Sequence, residues 1–372
     1  MMALNKQKKI LHIFPESMFI EDFFLFIERN YSDIKHDFIV IDIGGSGEAT
    51  KIKERFIDKY NVVNISTFNI KDVKVLHNKL RKSKSYDNII FHSLSLNYLL
   101  ISLLTNIKAV KKATVVFWAI QDAGPFIIPK DRNEKIRSWI YEKLRCFIIP
   151  RFKYISTVID SEYERIKPIY NITAAYKLCK YPRDKPCVKE QAKEKKSNYI
   201  NIQAGHAGFE LTNTTETLNI LKKFKDENIR IFSPLSYGNK NYINDVIKTG
   251  KEIFGQKFIP LTNQMSGDKY EKLLSYMDIY IHNSTGQMGL GNIDINMALM
   301  NKVYLNDKGV VYNDYVMQGY NVSRVSDINN QSFDVFSHYD TEDAKNNKKL
   351  SDDLLNDSNF IKIWDNLLLD IK

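Results

Sequence analysis

Short runs of β-branched and aromatic residues alternate along the chain with longer stretches whose apolar positions recur at helical spacing, the pattern of parallel sheets flanked by helices. In the first half this predicts strands at Lys9–Phe14, Asp37–Ile43, Asn61–Ser66, Asn88–Ser93, Thr114–Ala119 and Tyr154–Ile159, with helices at Phe19–Arg29, Asp72–Lys82, Ser95–Leu104 and Asp131–Leu144. From Tyr181 to Ser197 the sequence turns charged, carries two prolines and loses any apolar face, as an interdomain linker does. The alternation then restarts with strands Tyr199–Ala204, Arg230–Pro234, Lys257–Pro260, Ile279–His282 and Lys302–Leu305, and helices Thr214–Phe224, Tyr242–Phe254, Asp268–Met277 and Asn292–Met300. A polar stretch from Asp340 to Lys349 precedes a last apolar-periodic segment, Leu354–Ile371, expected to pack back on the first domain. The organisation read from this is a Rossmann-like domain over 1–180, a linker over 181–197, a second Rossmann-like domain over 198–330 and a tail over 331–372.

A length of 372 residues suits two such domains, and 44% apolar residues is ample for their cores, which excludes a disordered or fibrous chain. Cys146, Cys179 and Cys187 make neither an even set nor a CxxC pair, so a reducing compartment is expected rather than a disulfide scaffold or a thiolate zinc site. The apolar run after Lys6-Gln7-Lys8-Lys9 is too short for a signal peptide, and the stretch from Asn97 to Val110 is broken by polar residues before it reaches membrane-spanning length. Charge is uneven. Up to residue 190 there are 33 lysines and arginines against 21 acidic residues, and after it 21 against 23. A basic first half suits nucleic acid, an anionic membrane surface or a phosphorylated ligand. Interleaved basic and aromatic RNA-binding motifs and zinc-finger spacings are absent, so no nucleic acid partner is expected.

Open parallel sheets bind ligands beyond the carboxyl ends of their strands, so loops there carry the chemistry. Gly44-Gly45-Ser46-Gly47 follows a strand but matches neither a dinucleotide fingerprint nor a P-loop, and reads more readily as a plain tight turn than as an anion loop. Gly205-His206-Ala207-Gly208 follows a strand and leads through Asn213 into a helix, an order that presents backbone amides to a phosphate. Pro234-Leu235-Ser236-Tyr237-Gly238-Asn239 supplies hydroxyl, phenol and amide groups at the same sheet edge. Asn283 and the run Gly286-Gln287-Met288-Gly289-Leu290-Gly291-Asn292 form a third such loop. Their co-location on one edge is a stronger signal than any one of them.

These segments resemble the bacterial TDP-N-acetylfucosamine:lipid II N-acetylfucosaminyltransferase family, which adds 4-acetamido-4,6-dideoxygalactose in the synthesis of enterobacterial common antigen and related surface polysaccharides. The resemblance is clearest from Ile202 to Leu305, carried by Gly205-His206-Ala207 with Asn213, by Pro234 to Asn239 with Tyr242, and by Gln287 to Ile293; in the first half only His92 and Trp118 with Asp122 match. Family members usually have Asn-Ser in place of His206-Ala207, and an arginine ahead of the Gln-x-Gly-Leu-Gly-Asn run where this chain has Ser284-Thr285-Gly286. The resemblance implies a GT-B α/β fold, with an acceptor domain and a nucleotide-sugar domain facing across a cleft. It makes Gly205, His206, Ala207, Asn213, Pro234, Ser236, Tyr237, Gly238, Asn283, Gln287, Gly289, Leu290, Gly291 and Asn292 the donor-binding candidates.

No DxD triplet sits in a loop and no His/Cys cluster has ligand spacing, so no metal or other cofactor is expected and the leaving diphosphate falls to amides and side-chain donors. Asp122, after the Thr114–Ala119 strand, is a candidate for the base that deprotonates an acceptor hydroxyl, and His92 is its rival; a turn or helix-cap aspartate and a hydrogen-bonded strand-end histidine are the structural alternatives. His206 suits phosphate orientation. The reading is a glycosyltransferase moving a deoxy-amino sugar from a TDP-sugar, or a UDP-sugar, to a polyprenyl-diphosphate saccharide at the cytoplasmic side of a bacterial inner membrane. A GT-B nucleotide-sugar epimerase and a non-catalytic partner in polysaccharide assembly are the alternatives.

Overall fold

The computed structural model describes residues 7–17, 20–42, 61–66, 70–118, 122, 131–182 and 198–369. The Gly44–Gly47 turn and most of the linker lie outside them. The chain divides into two compact units, one formed by residues 1–183 with 357–372, the other by 184–356.

In the first unit β1 (Lys9–Pro15), β2 (Lys35–Asp42), β3 (Asn61–Ser66), β4 (Asn88–His92), β5 (Thr114–Phe117), β6 (Tyr154–Thr157) and β7 (Ala175–Leu178) form a parallel sheet in spatial order 3-2-1-4-5-6-7. In the second unit β8 (Ile200–Ala204), β9 (Ile229–Pro234), β10 (Phe258–Leu261), β11 (Ile279–His282), β12 (Lys302–Leu305) and β13 (Ser323–Arg324) do the same in order 10-9-8-11-12-13. Each sheet reverses its strand order beside its own first strand, between β1 and β4 and between β8 and β11. At such a switch point the loops on either side run apart and leave a crevice. The central strands are mainly apolar, as burial on both faces requires; every residue of β5 and β12 is buried, Thr114 and Lys302 included.

The edge strands β7 and β13 escape sequence prediction because one is four residues carrying Lys177 and the other only two residues long. The helix Asp160–Tyr170 escapes it too. It accommodates Pro168 in its last turn and ends on Asn171 in the left-handed region, φ 49°. The polar stretch from Asp340 is a helix, Thr341–Leu354, capped by the Asp340 carboxylate at the amides of Glu342 (2.8 Å) and Asp343 (3.2 Å). It buries only Ala344, Asn347 and Ser351, too narrow a face to register as periodicity.

The last helix, Asp357–Leu369, belongs to the first unit. Its carbonyls receive hydrogen bonds from Lys177 Nζ at Asn366 (2.6 Å), Asn88 Nδ2 at Leu367 (3.0 Å) and Tyr31 Oη at Ile361 (3.1 Å). Trp364, fully buried, packs on Phe23 with ring centroids 4.6 Å apart and donates to the Lys180 carbonyl.

Beneath this helix three imidazoles from neighbouring strands form one hydrogen-bonded row. His36 Nδ1 on β2 meets His12 Nε2 on β1 (2.9 Å), His12 Nδ1 meets His92 Nε2 on β4 (3.0 Å), and His92 Nδ1 meets the Tyr181 hydroxyl (2.5 Å). Burial pushes His12 and His92 well below the ordinary imidazole value and His36 down to about 4, the carbonyl of Tyr31 and the carboxylates of Asp33 and Asp37 only partly opposing it. The row is therefore neutral, and His12 and His92 each donate through one nitrogen and accept through the other.

The unfolded chain binds protons at these imidazoles below about pH 6.5, whereas folded His36 refuses its proton until near pH 4 and His12 and His92 are held well below the ordinary value. Stability is thus complete above pH 6.5 and is lost as pH falls through that window, His36 alone accounting for on the order of 3 kcal/mol. Urea midpoints at pH 7, 5.5 and 4.5 should fall steadily and should fall less in His36→Gln. Midpoints that stay level would contradict a neutral buried row.

Candidate functional site

The second unit gathers its loops around the crevice between β8 and β11. Gly205 ends β8 at φ +75°, and a Cβ there would lie 2.4 Å from Thr214 Oγ1, so the turn closes against the following helix only without a side chain. The loops after β8 and β9 are zipped by their backbones: Gly208 N–H donates to the Tyr237 carbonyl (2.9 Å) and Asn239 N–H to the Gly208 carbonyl (2.8 Å). At Gly238, φ +132°, a Cβ would stand 2.2 Å from the Gly208 oxygen. That contact displays Phe209 and Tyr237 as an exposed edge-to-face aromatic pair, ring centroids 5.9 Å apart.

The amino end of the helix Thr214–Leu221 is closed. The Tyr242 hydroxyl accepts from the amides of Thr214 (2.7 Å) and Thr215 (3.3 Å), so the amides expected to face a phosphate are already capped by a phenol from the helix Lys240–Phe254. Asn213, φ 50°, makes no cap; its Nδ2 donates to the Asn283 carbonyl (2.9 Å). Asn283 in turn receives Asn306 Nδ2 at its carbonyl (3.0 Å) and at Oδ1 (2.9 Å), tying the loop after β11 to that after β12. Asn292 faces a buried network with Tyr270 (2.5 Å) and Gln203 (3.3 Å), which Asn296 joins at Gln203 Oε1 (3.2 Å). Among the donor-site candidates, Asn213, Asn283 and Asn292 therefore build the loops, while Pro234 is buried at the end of β9 and Ser236 lies exposed beyond it.

The open amino end belongs to the helix Leu290–Ala298. It follows Gly289, φ +64°, and no side chain caps it. The His206 ring lies directly on Gly289, whose Cβ would be 2.7 Å from the ring carbons. Behind it His282 stacks in parallel, centroids 5.2 Å apart and planes 8° off, and its Nε2 donates to the Met288 carbonyl at 2.8 Å, fixing the loop. Both ring nitrogens of His206 and the hydroxyl of Ser284 are buried without a protein hydrogen-bond partner. Burial, then the nearby His282, drives His206 down to about 3, and burial holds His282 near 4. Ala207, Gln287, Leu290 and Gly291 complete the wall, the first two buried and the others half-buried. An uncapped helix end beside buried donors without partners is an arrangement suited to an anion. Ser284 was missed in the sequence because a lone serine in a loop carries no pattern.

In the first unit Asp122 is fully buried. Its Oδ1 accepts from the Ser93 hydroxyl (2.5 Å) and the Leu94 amide (2.9 Å), its Oδ2 from the Trp118 amide (2.7 Å). It clamps the loop after β4 to that after β5 and holds Ser93 at φ 106°, a strained value for a residue with a side chain. His92, equally buried, is the middle of the imidazole row.

A family model described as 4-alpha-L-fucosyltransferase glycosyl transferase group 56 matches residues 50–335. Among curated protein sequences none matches significantly. Solved structures match along the whole chain: a glycosyltransferase from Rickettsia africae at TM-score 0.66 and 16% identity over 98% of both chains, and Anabaena HepE with UDP and glucose at TM-score 0.67 and 11% identity over 98% of this chain and 100% of that one. HepE with UDP-glucose gives TM-score 0.64 at 12% identity over 96% and 99%. These likenesses show the fold, the two-domain α/β GT-B architecture.

Two substitutions test the geometry. Gly238→Ala should cost the second unit more than about 2 kcal/mol, several degrees of melting temperature, because backbone rather than a flexible side chain stands in the way. Asp122→Asn replaces one accepting carboxylate oxygen with an NH2 that only donates, set against N–H and O–H donors, and should cost the first unit about 1–3 kcal/mol. Unchanged melting together with a collapse of turnover would instead make Asp122 a base in contact with substrate.

Proposed function

From membership of the 4-alpha-L-fucosyltransferase family, glycosyl transferase group 56, to which this chain belongs and which makes it a hexosyltransferase, we infer transfer of a deoxy-amino sugar, an acetamido-dideoxyhexose, from a TDP-linked or UDP-linked donor to a polyprenyl-diphosphate saccharide in surface polysaccharide assembly. The observation that carries the donor half is the crevice between β8 and β11, where the uncapped end of the helix Leu290–Ala298 meets the buried nitrogens of His206. UDP and UDP-glucose in the HepE structures support a nucleotide-sugar at this fold. The matched segments from Gly205 to Ile293 support the acetamido sugar.

The loops named carry the chemistry without a metal: amides and side-chain donors around the diphosphate stabilise the charge that grows on it as the sugar leaves. Asp122 and His92 keep the carboxyl edge of the first sheet in shape, and with both engaged internally they act on an acceptor by positioning.

Acceptor and location rest on the first unit's surface. The helix Arg132–Ile148 exposes Ile136, Trp139 (63% exposed) and Ile140 among Lys135, Arg137 and Lys143, and the helix Asn97–Leu104 adds exposed Ile101 and Leu104. Among the described residues no helix is long and apolar enough to cross a membrane. An apolar stripe flanked by bases suits the interfacial region of an anionic bilayer, with the lipid-linked acceptor in that plane.

Mass spectrometry of lipid-linked oligosaccharides from cells with and without the gene tests the reaction, the expected result being loss of one deoxy-amino sugar and accumulation of the intermediate one residue shorter. Unaltered lipid-linked species would overturn it. Cosedimentation with anionic vesicles should be seen at low salt, weaken with added salt and drop several-fold in Trp139→Glu; equal binding to neutral vesicles at high salt would remove the electrostatic basis.

A further inference from the structure

Three loops at the carboxyl edge of the second sheet, residues 205–213, 235–239 and 283–289, contain no lysine or arginine. A nucleotide-sugar diphosphate is a dianion, and a site built for one ordinarily answers with a fixed cation. Here the one side chain in those loops able to become cationic on the crevice wall is His206, whose two nitrogens are buried without a protein partner and whose ring rests on the residue preceding the open helix.

We propose that His206 takes up a proton from solvent as the donor's diphosphate enters the crevice, hydrogen-bonds it as an imidazolium, and returns that proton when the nucleoside diphosphate leaves. This rests on the nucleotide-sugar reading above. In the empty crevice the ring is neutral, because burial and the parallel His282 ring disfavour charge. An adjacent dianion reverses the balance. His282 is the less suited of the pair: its Nε2 is committed to the Met288 carbonyl, while His206 has both nitrogens to offer. The other charged groups bordering the site are Glu216 on the helix Thr214–Leu221, which reaches Asn283 Nδ2 at 3.5 Å, Glu210 in the loop after β8, bonded to Asn239 Nδ2, and exposed Lys308 after β12. None of these hydrogen-bonds to the His206 ring. The consequence is a charge on the His206 ring that exists only while the diphosphate is bound, so anions of lower charge recruit it poorly.

Calorimetry of uridine and thymidine diphosphate binding to the full chain, in pairs of buffers with different ionisation enthalpies at pH 7.5, 6.5 and 5.5, counts the protons exchanged. Uptake in the wild type should exceed that in His206→Gln by up to about one proton per nucleotide as pH falls, and its affinity should tighten by about tenfold relative to the variant between pH 7.5 and 5.5. Comparison with the variant removes the nucleotide's own phosphate titration. Should His206→Gln fail to fold, UDP-glucose serves as the second probe: its diphosphate has no group titrating in this range, so any uptake by the wild type belongs to the protein. Equal uptake in wild type and variant, or binding of UDP-glucose with no uptake at pH 5.5, overturns the proposal while leaving the donor site standing. Absence of nucleotide binding at every pH overturns the donor reading and the proposal with it.

Discussion

The reversal of strand order beside β8 is the constraint on which the second unit depends. Crossovers carry the chain away from β8 in both directions, so the loops after β8 and β11 begin side by side and then diverge. Once they part, their backbone groups need other partners. The structure supplies them laterally, Gly208 to Tyr237 and Asn239 on one side and Asn283 to Asn213 and Asn306 on the other, and among the groups left uncommitted are the helix end at Gly289, the Ser284 hydroxyl and the His206 ring resting on Gly289.

Buried imidazole is used in two opposite ways in the two units. In the first, His36, His12 and His92 satisfy one another in a row that ends on Tyr181, which makes a polar core cohesive without charge. In the second, His206 and His282 stack face to face and share no hydrogen bond, so the capacity of one ring is left for something outside the protein. Desolvation lowers all of them alike; the difference is whether a partner was folded in.

Asp122 shows how a site residue can be conspicuous in sequence and occupied in structure. A carboxylate after a strand of a Rossmann-like sheet is placed as a base would be, yet its oxygens answer the Ser93 hydroxyl and the amides of Leu94 and Trp118. These donors come from two loops separated in sequence, so nothing in the local pattern around Asp122 announces them.

Local pattern was enough for the alternation of apolar strands and amphipathic helices, because periodicity and turn chemistry act over a few residues, and it placed the glycine-bearing loops at strand ends in the second half. It failed where the stabilising partner was remote. The edge strand β7 forms by pairing with β6, and Lys177 within it is used by the Asn366 carbonyl; the helix Thr341–Leu354 is tied through buried Asn347 to the backbone of Asn321; the amides of Thr214 and Thr215 are taken by Tyr242, 28 and 27 positions away. The chain by itself determined which residues could meet a diphosphate. Only the tertiary structure decided which of them were still unspent, because a hydrogen-bonding group that has found a protein partner looks the same in sequence as one that has not.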